Sequence, residues 1–171
     1  MRKLYFVCFA LILSIAMILP VTLPVGASTN ENQPVSWVNS ANNENHQALP
    51  AQHGGHVILV KILADGSTVG HVQVYDRVTR MLMVSTGFDQ TATIFEKRNG
   101  ANYAEFVVFL KPSPDNPPGW DFNMTVKYQI WDYNEPGLND YHIVWAKFGN
   151  IWYYFDTIFY DAGEAQVHLG N

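Results

Sequence analysis

Three runs decide how this chain folds: YQIWDY (128–133), YHIVWAKF (141–148) and IWYYFDTIFY (151–160). Together they hold three of its five tryptophans. Aromatic and β-branched side chains suit a pleated, half-buried surface better than the crowded preceding turn of a helix. The first run belongs to NMTVKYQIWDY (123–133), which alternates with period two. Val126, Tyr128 and Ile130 share one face there, and Lys127, Gln129, Trp131 and Tyr133 share the other. In the last run, strict alternation places Ile151, Tyr153, Phe155 and Phe159 opposite Trp152, Tyr154, Ile158 and Tyr160.

The same period continues upstream. HVILVKIL (56–63) and TVGHVQVY (68–75) flank Asp65-Gly66, a dipeptide that favours a two-residue type I′ hairpin. That turn would set Val60 opposite His71, Leu59 opposite Val72 and Val57 opposite Val74, with both faces apolar and both covered. TRMLMVST (79–86) and TATIFEK (91–97) follow. Asn99-Gly100 then predicts a second tight hairpin into ANYAEFVVFL (101–110), with Phe95 opposite Ala104. On that register Phe95, Phe106, Val108 and Leu110 are buried, and Glu96, Tyr103 and Glu105 look out. Lys111 to Phe122 carries Pro112, Pro114, Pro117 and Pro118. Proline cannot donate to a ladder, so this stretch reads as a crossover between sheets. AQVHLG (165–170) closes the set. With about eight or nine short strands and no helical period, the expected fold is an all-β antiparallel sandwich, the alternative being a small barrel.

The N-terminus has a different character. Arg2 and Lys3 precede an apolar run from Leu4 to Leu19, then Pro20, Pro24 and the small residues Val25-Gly26-Ala27. This is the pattern of a secretory signal over residues 1–27, too short and too broken to span a bilayer. Residues 28–55, rich in asparagine and poor in apolar side chains, read as a flexible polar leader. Within it, Val35 to Val38 is the exception, an edge strand anchored by Trp37. Residues 56–171 form the single folded domain. Cleavage removes Cys8, the only cysteine, so no disulfide staples the mature chain. Losing Arg2 and Lys3 from ten basic residues leaves eight against fifteen acidic ones, a formal charge of −7. Such a surface repels nucleic-acid phosphates and anionic headgroups.

Chemical motifs are sparse. His53-Gly-Gly-His56, with His46, has metal-ligand residue types, but two glycines rule out a shared helical face, and solvated linker histidines are the simpler reading. His71, His142 and His168 fall on strands. Asp132, Asn134, Glu135 and Asp140 gather oxygen ligands in one loop, a calcium candidate that fails the EF-hand pattern because Pro136 and Ile143 stand at ligand positions. The sequence has no G-x-S-x-G turn and no glycine-rich phosphate loop. Asn123-Met124-Thr125 fits a glycosylation sequon.

The aromatics remain. Lys127, Gln129, Trp131 and Tyr133, with Trp152 and Tyr154, are the candidate ligand-binding residues, because aromatic faces beside polar neighbours stack sugars or dock partners. The expected function is therefore a secreted, non-enzymatic protein that binds a glycan, a surface polymer or a protein partner. A self-associating matrix protein is the main alternative, since uncharged aromatic runs such as IWYYF favour edge pairing. A membrane-active toxin or a hydrolase has less support.

Overall fold

Asn99 and Gly100 both take positive φ, 53° and 85°, so the tight turn expected between two strands forms there. It joins β5 (Ile94–Arg98) to β6 (Ala101–Pro112), with Phe95 opposite Ala104 as the dipeptide implies. β6 is long enough to pair β5 along its first half and β4 (Met81–Phe88) along its second. The computed structural model describes residues 34–45, 53–76, 79–119, 121–133, 139–160 and 163–170. The signal pattern at 1–27, Cys8 and the side chains of Asn134 and Glu135 lie outside them.

Among the described residues there are ten strands, all antiparallel and in one strongly curled, half-barrel sheet, and no helix. The remaining strands are β1 (Pro34–Asn45), β2 (His53–Leu63), β3 (Thr68–Asp76), β7 (Met124–Asp132), β8 (Tyr141–Phe148), β9 (Ile151–Phe159) and β10 (Gly163–His168). Their order is β10-β1-β2-β3-β4-β6-β7-β8-β9, with β5 beside β6. The all-β reading holds, in its barrel-like form. The proline loop is not a crossover to a second sheet, because β6 pairs directly with β7 across it. Its Asn116 caps β4 instead, accepting from the Leu82 N–H at 2.8 Å and donating to the Leu82 carbonyl at 2.9 Å.

Two further expectations change. Residues 34–45 are not leader but β1, paired with β2 on one side and β10 on the other. A strand bonded along both edges satisfies its backbone with few apolar side chains; over residues 34–40, where side chains are described, Ser36, Val38 and Ser40 are buried. The β2–β3 register is also one residue away from the two-residue turn, with Leu59 opposite His71 and Ile58 opposite Val72. The Asp65 carboxylate accepts from both the N–H and the hydroxyl of Ser67, and within the turn itself only Gly66 adopts positive φ. The loop therefore lengthens, and a one-residue slip exchanges the faces. Ile58, Val60 and Val72 turn inward, while Val57 and Leu59 are exposed.

The concave face holds the core. Phe106 stacks on Tyr128 at 5.4 Å, with Phe88 edge-on to Phe106 at 6.1 Å. Val108, Val126, Ile130 and Ile158 fill around them, each at most 3% exposed. Each such side chain contributes about 1.5–3 kcal/mol relative to leaving it in water.

Candidate functional site

The convex face of β6–β9 collects most of the residues singled out by sequence. Cross-strand register sets Lys127 beside Trp145, Trp145 beside Tyr154, and Lys147 beside Trp152, all on one side. The Lys127 ammonium lies 5.3 Å from the Trp145 ring and 5.4 Å from the Trp152 ring, and Lys147 lies 5.6 Å from Trp152. Gln129 ties this array to its neighbours. Its amide oxygen accepts from the Trp145 indole at 2.8 Å, and its nitrogen donates to Glu105 at 2.7 Å and to the Tyr103 oxygen at 3.0 Å. Tyr103 also donates to Glu105 and lies under the Arg98 guanidinium, 3.8 Å from the ring centre. Burial and then the Glu105 hydrogen bond raise the Tyr103 phenol well above its usual range. Burial acts to raise Glu105 as well, but hydrogen bonds from Tyr103 and Gln129, with Lys127 and Arg98 nearby, outweigh it and hold the carboxyl low.

Lys127, Gln129, Trp152 and Tyr154 thus join one array. Trp131 and Tyr133 do not. Trp131 stacks on Tyr141 at 4.7 Å, packs on Tyr103 at 4.9 Å, and is only 8% exposed. Tyr133 and Ile143 pack against the same small cluster. The polar neighbours that suggested an exposed Trp131 are its own strand's; the rings that cover it come from β6 and β8.

β9 departs from simple alternation. A bulge sets Tyr154 opposite Trp145 but Asp156 opposite Val144, leaving Phe155 as the extra residue. Beyond it the faces exchange: Asp156, Ile158 and Tyr160 are buried, and Phe159 turns out against Tyr141 at 5.7 Å. β9 also ends the strand order. Ile151, Tyr153, Tyr154 and Phe155 along it are 50–60% exposed, and Phe148 at the end of β8 is 62% exposed.

The concave face carries a second, wholly different group. Tyr160 shares hydrogen bonds with Ser40 and, at 2.8 Å, with Nδ1 of His142. The His142 ring lies 5.1 Å from that of His56, whose Nδ1 shares a 3.1 Å hydrogen bond with the Tyr128 hydroxyl. His56, read from sequence as a linker histidine, is thus a buried residue of β2. His46 lies outside the described residues. Beside His56 a cavity of about 140 Å³ opens between β3–β4 and β7–β9, lined by Met81, Met83, Met124, Val144, Tyr128 and Asp156 among others.

Of the calcium candidates, Asp132 and Asp140 are buried and accept backbone N–H groups. Asp140 takes those of Tyr133 at 2.9 Å and Ala165 at 3.3 Å, and Asp132 takes that of Val167 at 2.8 Å. They fasten β10 to the end of β7. Among the described residues no group of three or more His, Cys, Asp or Glu is placed to hold a metal ion. Nor is any helix among them long and apolar enough to cross a membrane.

Comparison with protein-family models, curated proteins and solved structures returns no match.

Proposed function

We propose that this is a secreted, non-enzymatic protein that assembles with further copies of itself, edge to edge along β9, as a structural component outside the cell. The observation that carries the reading is the outer edge of β9, which ends the strand order among the described residues and is flanked on both faces by exposed aromatics. An edge strand offers unpaired N–H and C=O groups to another chain, and proteins that stay monomeric usually guard it with lysine, proline or brevity. Here the edge is nine residues long, and IWYYF (151–155) carries no charge. Pairing two such edges buries apolar area at roughly 25 cal/mol per Å² without setting like charges together. Asp156, the only charged residue of β9, points inward. The basic and apolar pattern before residue 28 supports secretion.

Light scattering across a concentration series tests this: the purified chain should form dimers or larger species as concentration rises. Replacing Ile151 and Tyr153 together by lysine should return it to a monomer with an unchanged circular dichroism spectrum. A native chain that stays monomeric throughout would refute the proposal.

A second reading, glycan or polymer binding, is favoured by the array of Lys127, Gln129, Trp145, Trp152 and Tyr154, which sets aromatic rings beside hydrogen-bonding groups. Trp152→Ala should weaken binding to an immobilised polysaccharide if that face is the contact surface, and should leave edge assembly intact.

A further inference from the structure

Given the β9 assembly proposed above, on which this step rests, the sheet also indicates which edge of a second copy β9 meets. Three strands border the sheet among the described residues: β9 and β10 at the two ends of the strand order, and β5, which pairs only with β6. β10 is guarded. Its Ala165 and Val167 N–H groups donate to the Asp140 and Asp132 carboxylates, at 3.3 and 2.8 Å, so a strand laid along it would find two donors taken. β5 is guarded differently, being five residues long and carrying Glu96, Lys97 and Arg98. A head-to-tail contact of β9 with either strand could repeat without end. Ile151–Phe155 has neither kind of guard, and the edge it matches best is its own copy.

The bulge sets the register. It makes Phe155 the last residue before β9 bends, so the regular, uncharged part of the strand runs from Ile151 to Phe155. Two identical antiparallel segments overlap over their full length only about their midpoint, here Tyr153. Tyr153 then lies opposite Tyr153 of the second copy, Trp152 opposite Tyr154, and Ile151 opposite Phe155. Aromatic–aromatic and aromatic–β-branched pairs are the favourable combinations directly across two strands. No charge is opposed to another within the five pairs. The two-fold axis of such a pair stands normal to the sheet, so the convex faces of both copies lie on one side. Trp152 and Tyr154 meet their counterparts on that face, and Ile151, Tyr153 and Phe155 meet theirs on the other.

We infer that two copies pair through Ile151–Phe155 as an antiparallel, two-fold symmetric dimer centred on Tyr153, and that assembly stops there because an interface of this kind uses the same patch on both chains. Light scattering should show the mass rising with concentration to twice that of one chain and no further. Disulfide trapping reads the register, in a chain whose only cysteine is removed by Cys8→Ser. Cβ atoms directly opposite on antiparallel strands lie about 4.5–5.5 Å apart, close to what a disulfide spans. Tyr153→Cys should therefore cross-link to itself on oxidation, giving at least about fivefold more covalent dimer than Ile151→Cys alone. Ile151→Cys should cross-link when mixed with Phe155→Cys. Mass that climbs past the dimer would overturn the closed pair and leave β9 assembly standing, whereas a lasting monomer would overturn both. Self-linking of Ile151→Cys as complete as that of Tyr153→Cys would overturn the register. If Tyr153→Cys does not cross-link, the mixed pair decides, and its failure as well would overturn the register.

Discussion

Gly70 is placed where the β2–β3 ladder has no space for a side chain. Its φ is 152°, and an added Cβ would lie 2.0 Å from the Leu59 carbonyl oxygen, a backbone atom that cannot swing aside. Gly70→Ala should therefore cost about 2–4 kcal/mol. Gly66 also has positive φ, 83°, but open space around it, so Gly66→Ala should cost only about 1 kcal/mol. Urea unfolding midpoints of the two variants make the comparison. Tyr103 gives a pH prediction. Its phenol is raised in the fold by burial and by Glu105, so the folded chain holds that proton more tightly than the unfolded one. The stability this lends is complete below pH about 10, the unfolded value, and is lost as pH rises toward the folded one. Tyr103→Phe should flatten that alkaline loss in unfolding curves taken across the range. At this scale the sequence was informative where one residue acts through its own backbone, as at Asn99-Gly100. It was silent where neighbours from other strands decide. Trp131 is buried by Tyr103 and Tyr141, and nothing in YQIWDY carries that information.

Elements were legible in kind and less so in placement. Period-two alternation located β7 and its inward Val126, Tyr128 and Ile130 correctly, because both faces of that strand follow a regular pleat. It misassigned the second half of β9, where a bulge at Phe155 reverses the faces, and it misassigned β2–β3, where the Asp65 side chain reshapes the turn. Both are one-residue events, and in a strand one residue is the whole difference between core and solvent. β10 depends on a feature that resembles a metal loop. Asp140 receives the N–H groups of Tyr133 and Ala165. Asp140→Ala should leave both donors unsatisfied, cost about 2–4 kcal/mol, and speed exchange of the Ala165 amide. Asp140→Asn keeps an acceptor and should cost less. Since Asp132 and Asp140 already serve backbone donors, chelating calcium should leave the melting temperature unchanged, and a fall would give the loop a metal-binding role.

At the scale of the whole molecule, alternation cannot distinguish two packed sheets from one curled sheet, since both bury every second residue. Here the chain returns to a neighbouring strand after the proline loop, and one concave face encloses the core. That curvature produces both surfaces of interest. It brings β3–β4 opposite β8–β9 around a cavity whose lining comes from seven strands, β2 to β4 and β6 to β9, a convergence invisible to any local pattern. It also leaves β9 at the end of the strand order, with its aromatics exposed. The outward Lys127 and Gln129 were readable from their own strand, and the position of β9 at the end of the strand order was not, because it is a property of topology. Edge assembly is tested most directly by amide hydrogen exchange across β9 as a function of protein concentration. The result expected is that the amides of Ile151–Phe155 that are not bonded to β8 exchange rapidly in dilute solution and become protected as concentration rises. Exchange at those amides that does not change with concentration would contradict it.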